Sequence, residues 1–169
     1  KTEELNAKVA ELETANTELQ TKIDTLTTEI TTEEDAALEI QKKIASITAM
    51  TEKINAESTN ILYLSEVAID ADAKANAVAS YEKLTATKEK LATESANLKK
   101  ELTEKTNTIM QKRYELSDAT YKINANTFEI KKIKNEIDAI AAQNSLLADS
   151  VSQGDALITE AELLVPAEE

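Results

Sequence analysis

The sequence contains no cysteine, histidine or tryptophan, one glycine (Gly154), one proline (Pro166) and only 3% aromatic residues. Each scarcity removes a class of structure or chemistry. Without cysteine there is no disulfide and no thiol nucleophile, and the redox compartment stays open. Without histidine or cysteine the common nucleophile–base constellations and zinc ligand sets cannot be assembled. A carboxylate-bridged di-metal site in a helical bundle normally draws on Glu-x-x-His pairs, which this chain cannot supply. One glycine excludes a glycine-rich phosphate loop. Turns draw on Gly, Pro, Asn and Asp, and sheets favour aromatic side chains, so a sheet-rich globule is not expected either. The carboxylate clusters "TEE", "TEED" and "AEE" read as solvated helix surface. The expectation is a chain that is not an enzyme and uses no cofactor or metal.

Long hydrophobic runs are missing too. No apolar stretch approaches the roughly 20 residues that span a bilayer, so no membrane insertion by this segment is expected. No stretch reads as a secretory signal peptide, and the opening on a heptad leaves room for such segments in a longer parent chain. The net charge of -13 argues against nucleic acid, whose phosphates require a basic face. The charge is unevenly spread. Residues 1–60 carry 13 acids against 6 lysines, residues 83–134 carry 12 bases against 7 acids, and residues 135–169 carry 8 acids and no base. Segments of opposite sign favour a chain that folds back on itself.

What remains is Ala, Leu, Glu, Lys and Thr in strict register. Taking Val9 as heptad a, position a also falls on Asn16, Ile23, Ile30, Ala37, Ile44, Thr51 and Ser58. Position d falls on Leu5, Leu12, Leu19, Leu26, Glu33, Ile40, Ile47, Ile54 and Ile61. A period of 3.5 keeps one apolar stripe facing a partner helix through left-handed supercoiling. Glu33 is the weak point of this seam, within a capping-box spacing from Thr31 to Glu34, yet the register survives on both sides. A second register places Leu84, Leu91, Leu98, Ile133, Ile140 and Leu147 at d. Its a positions are Leu102, Ile109, Leu116, Ile123, Ile130 and Ile137, and Lys105 and Lys112 interrupt it. "STN" at 58–60 is the first candidate turn, with 69–77 as the fallback, and "EKTNT" at 104–108 is the second. Gly154 fits a helix C-cap, followed by a short final helix before Pro166. These signals predict an all-α, elongated antiparallel three-helix bundle or coiled coil over residues 1–153, with helices at roughly 2–57, 61–104 and 108–153. Residues 154–169 form a short terminal helix and the start of a linker. The alternatives are a long helical hairpin and a parallel coiled-coil dimer.

Two features within this frame bear on function. Asn16 is a polar residue in an apolar seam, which either sets register and partner number or marks a neutral position near a frayed end. Tyr114, Tyr121 and Phe128 recur at heptad spacing in position f, about 160–170° from the a/d stripe at 100° per residue. Met110 and Ala125 share their face. A helix apolar on opposite sides must cover both faces or offer one to a ligand. The expectation is a second seam against another helix or a dimer mate, and the alternative is an exposed partner-binding patch. "ILYLSEVAI" (61–69) poses the same choice and is expected to be buried at the end of the bundle.

The texture of "KVAELETANTELQTKIDTLTTEI" and "EKLATESANLKKELTEKTNTI" resembles the helical ectodomains of Gram-positive surface proteins, particularly streptococcal M-like and related helical adhesins. Lysine far outnumbering the single Arg113, low aromatic content and a helix ending in "LLVPAEE" are shared traits. The chain departs from full-length members in lacking a signal peptide, a Pro-rich region and a sorting motif. The resemblance implies a cell-surface, secreted or wall-anchored module that binds host extracellular proteins or epithelial cells, with homo-oligomerisation left open. The rival expectation is an intracellular coiled-coil spacer or scaffold.

Overall fold

A chain with so few turn formers has little to stop a helix once it starts. The computed structural model describes residues 1–163, and among these there are two helices, α1 (Thr2–Val67) and α2 (Ala71–Glu162). The protein is all-helical, as expected, and the two helices pack together. Threonine is a weak helix former, yet many threonines lie inside both helices. Their hydroxyls donate back to the carbonyl four residues earlier, as Thr14 does to Ala10 at 2.9 Å and Thr103 to Lys99 at 2.9 Å. That local bond satisfies the hydroxyl without leaving helical geometry.

The break between helices falls at residues 68–70, at the edge of the fallback segment. Asp70 makes the start of α2: its carboxylate Oδ1 accepts from the backbone N–H of Ala73 at 2.7 Å, an N-cap bond. The divisions expected at 58–60 and 104–108 are corrected, since both segments are helical. Thr59 donates to the Asn55 carbonyl, and Thr106 and Thr108 donate to those of Leu102 and Glu104, so these residues continue their helix rather than cap it. Gly154 is not a C-cap. It lies inside α2 without a positive φ, and the short final helix expected after it is the continuation of α2 to Glu162. Pro166 and the expected linker lie outside the described residues. The stretch 61–69 is not buried: Tyr63 is 63% exposed, Val67 57% and Ile69 fully. Ile61, Ser65 and Ala68 are half-buried, and the other residues of the stretch are exposed.

The chain divides into two compact units. The first joins Lys1–Asp24 of α1 to Ser117–Glu169, of which the described part ends at Leu163. Its core is Val9 with Ile130 and Ile133, and Leu5, Leu12 and Ile137 pack against them. Ala119 is the most enclosed of the described residues, at 1% exposure. Lys1 pairs with Glu136 at 2.7 Å, Lys8 with Glu129 at 3.3 Å and Glu13 with Lys134 at 2.9 Å, so numbers fall along α2 as they rise along α1. The first two join g to g positions and the third joins e to e, the flanking geometry of antiparallel helices.

The second unit is Thr25–Leu116 and contains the turn. Leu26, Ile30, Ala37, Ile40, Ile54 and Leu98 are its buried side chains. Glu29 pairs with Lys112 and Glu33 with Lys105, both at 2.7 Å, and Glu34 pairs with Arg113. The acidic α1 and basic α2 segments meet in these pairs, as the reversal of charge sign along the sequence implied. No described polar or charged residue is buried, and the flanking ion pairs keep contact with water. Such pairs contribute modestly to stability and more to orientation.

Candidate interaction surface

Chemistry on this molecule sits in two places: the polar positions of the seam and the outer face of α2. In the first unit, Asn16 occupies an a position and Asn126 a d position of the facing helix, both half-buried. The Asn126 amide donates to Asn16 Oδ1 at 3.0 Å, and the Asn16 amide reaches Thr127 Oγ1 at 3.4 Å. Thr127 in turn donates to the Ile123 carbonyl at 2.7 Å. Asn16 therefore lies in an interhelical polar layer, and sliding either helix would break its bond to Asn126. Asn126 was missed from sequence. Its signal was a polar residue at d in the second register.

In the second unit the interruptions noted at Glu33 and Lys105 are partners. Lys105 Nζ donates to Glu33 Oε2 at 2.7 Å, with side chains 31% and 23% exposed. That hydrogen bond, against some opposing burial, and then the charges of Lys105 and Lys112 hold the Glu33 carboxyl below its ordinary value of 4.5. The same bond, followed by the Glu33 charge, raises Lys105 above 10.5. A lowered folded-state carboxyl stabilises above its unfolded value and loses that contribution as pH falls through the folded one. The raised lysine loses its share only as pH climbs through a value above 10.5. Acidification toward the isoelectric point near 4.6 also relieves the general repulsion of a chain at -13, so total stability is a mixed signal. The difference in melting temperature between wild type and Glu33→Gln isolates the pair. It should be steady through neutral pH and shrink below about pH 4.5. A difference unchanged at about pH 2 would remove the ion pair from the account.

Three of the five aromatic residues, Tyr114, Tyr121 and Phe128, are exposed along α2. In the first unit Tyr121 is 74% exposed and Phe128 71%, with Ala125 exposed between them. In the second unit Tyr114 is 72% exposed and Met110 51%. The expectation of an internal second seam is corrected: among the described residues, no helix of the chain covers these side chains. The reason is geometric. With two helices each unit has one seam, and position f points away from it. Lys131 and Lys132, also exposed, follow Phe128 on the outer face, so apolar rings stand beside positive charge.

A groove in the second unit lies between Ile47, Thr51, Leu91 and Ser95, and it opens to solvent. Among the described residues no group of three or more acidic, histidine or cysteine side chains is placed to hold a metal ion. None of the described helices is long and apolar enough to cross a membrane. Comparison with protein-family models, curated proteins and solved structures returns no match.

Proposed function

We propose that this chain is a non-enzymatic helical module of a bacterial surface adhesin, binding a host extracellular protein or epithelial cell through the outer face of α2. One observation carries the reading: Tyr121 and Phe128, the kind of rigid apolar side chain that anchors protein interfaces, are more than two-thirds exposed. Aromatics left in water on the face opposite the seam do nothing for the fold. The 83–134 segment has 12 bases against 7 acids, and Lys131 and Lys132 adjoin Phe128. A partner with an acidic rim around an apolar patch is the chemistry this face would recognise.

The pairing underneath is read as a two-stranded antiparallel coiled coil in each unit rather than a three-helix bundle. Cysteines at positions 8 and 129, where the tips of the lysine and glutamate side chains lie 3.3 Å apart, should be joined within one chain by a short bifunctional thiol cross-linker. In a three-helix arrangement divided at 58–60 and 104–108, α1 would run parallel to the last helix, and those positions would be far out of register. Failure of the cross-link would count against the two-stranded reading.

Function is tested with Tyr121→Ala/Phe128→Ala. Each exposed substitution should alter stability by no more than about 0.5 kcal/mol. Attachment to immobilised plasma proteins or epithelial cells should drop at least tenfold, the effect of removing interface anchors. Wild-type protein that attaches to neither surface, or a double variant that attaches as well as wild type, would overturn the proposal. A concentration-dependent dimer that the double variant dissolves would assign the face to a second copy instead.

A further inference from the structure

The hairpin end of the second unit departs from the pattern of the rest of it. Along α1 in this unit the e positions, which flank the seam, are Thr27, Glu34, Gln41, Thr48 and Asn55. The next is Leu62. The c positions from Thr25 to Asn60 hold no apolar residue, and the next is Val67. Tyr63 and Leu64 fall at f and g, so seven of the nine residues 61–69 are apolar and point to all sides of the helix. Across the turn, Val78 takes the e position of α2, on the flank where Glu34 and Arg113 form an ion pair farther along. Leu62, Leu64 and Val78 are 43%, 51% and 50% exposed, and Tyr63, Val67 and Ile69 more so. The turn that carries them is well bonded. The Ala68 N–H donates to the Leu64 carbonyl at 3.0 Å, the Lys74 N–H to the Asp70 carbonyl at 3.1 Å, and the Asp70 carboxylate caps α2. A helix apolar on all sides belongs inside a bundle, and a single hairpin covers only one of those sides.

Charge and size select the occupant. Between residues 61 and 81 the charged side chains are Glu66, Asp70, Asp72 and Lys74. A lipid surface calls for lysine or arginine around the apolar residues, and three of these four are acidic. A second copy fits better. Asp70 is engaged as the cap, whereas among the described residues no ion pair engages Glu66, Asp72 or Lys74, all exposed. A two-fold axis lets Lys74 of one copy meet Glu66 or Asp72 of the other and the reverse, so each ion pair forms twice. Six large apolar side chains, with the polar groups around them, approach the roughly 800 Å² per partner that a stable interface buries.

We propose that the chain dimerises through its hairpin end, residues 61–81, with two copies packing their α1–α2 ends into a short four-helix bundle. Leu62, Ile69 and Val78 are the central apolar contacts, and Lys74 sets the charge complementarity. Apolar residues at e as well as a and d are what a helix needs to face a bundle core rather than a single partner. The contact is separate from the aromatic face proposed above, and either could fail without the other.

The test is sedimentation equilibrium of the whole chain over a concentration series, which should show a monomer–dimer equilibrium. Amide exchange over residues 61–81 should slow as concentration rises. Leu62→Glu/Val78→Glu should weaken the dimer at least tenfold while leaving the circular dichroism spectrum of the monomer unchanged. Lys74→Glu should weaken it at least threefold at low salt, and it decides alone if the double variant loses helicity. Tyr121→Ala/Phe128→Ala should leave this dimer intact. The proposal is overturned if the chain is still monomeric at about 1 mM, if the variants at 62 and 78 or at 74 dimerise as wild type does, or if exchange slows elsewhere instead. Binding of the monomer to phosphatidylcholine vesicles through residues 61–81 would also overturn it, by making lipid the occupant.

Discussion

Truncating Ile133 to alanine should lower stability by about 2–5 kcal/mol, the range for deleting a buried aliphatic side chain. Ile133 is 3% exposed and belongs to the cluster of Val9 and Ile130 that Leu5, Leu12 and Ile137 complete. The loss has two parts, transfer of the removed carbons back to water and the gap left among neighbours that cannot all close in. A thin seam permits more collapse than a globular core, because solvent lies one side chain away, so the lower half of the range is the closer expectation. Equilibrium denaturation beside the exposed Tyr121→Ala provides the contrast, with the latter expected to change by about 0.5 kcal/mol or less. If both variants lose the same amount, the burial pattern does not govern stability.

The second large effect has the opposite sign. Replacing Asn16 and Asn126 together by leucine should raise stability by about 2 kcal/mol, since two half-buried apolar side chains replace a polar pair whose hydrogen bonds largely substitute for those with water. Specificity should suffer at the same time. The Asn126-to-Asn16 bond at 3.0 Å exists in one alignment of the helices, whereas a leucine layer is equally content after a one-heptad slip or with a third helix. The variant should therefore melt later yet show mixed association states in sedimentation velocity. Asn16→Leu alone should gain much less, because Asn126 then loses its acceptor. A double variant less stable than wild type would mean that the asparagines are holding the seam together rather than aligning it.

Those two sites show what was and was not legible in the sequence. The apolar seam was readable because period and burial are coupled: Val9, Leu26, Ile30, Ile40 and Ile54 were assigned to a or d and all are buried. The turns were harder. Ser58, Thr59 and Asn60 have the chemistry of a cap, but Thr59 has a helical carbonyl within reach and uses it. Asp70 has the same capping chemistry and does form the cap. Propensity alone does not rank one such site above the other. The reading of Lys105 as a break failed for a different reason. A lysine at d looks like a defect when one seam is considered alone, and becomes a partner once Glu33 faces it from the other helix. Setting the polar positions of both registers side by side would have shown the match. Tyr114, Tyr121 and Phe128 read from the sequence as a row at f, and each is exposed, but how many helices the chain would supply to cover them depends on the number of turns.

No large side chain in the described structure is completely enclosed; even the core residues keep a few per cent of their surface in contact with solvent. Each seam layer therefore rests only on the layers before and after it, with no centre whose loss brings down the whole at once. Mechanics follow from that. In the first unit the start of α1 lies beside Glu136, so a force separating Lys1 from that point would peel the helices apart one layer at a time. The same helices drawn lengthwise past each other would have to break many layers together and would resist far more strongly. Rupture would therefore depend on the direction of pulling more than on the total number of contacts, a property suited to a chain that must yield in one direction and hold in another.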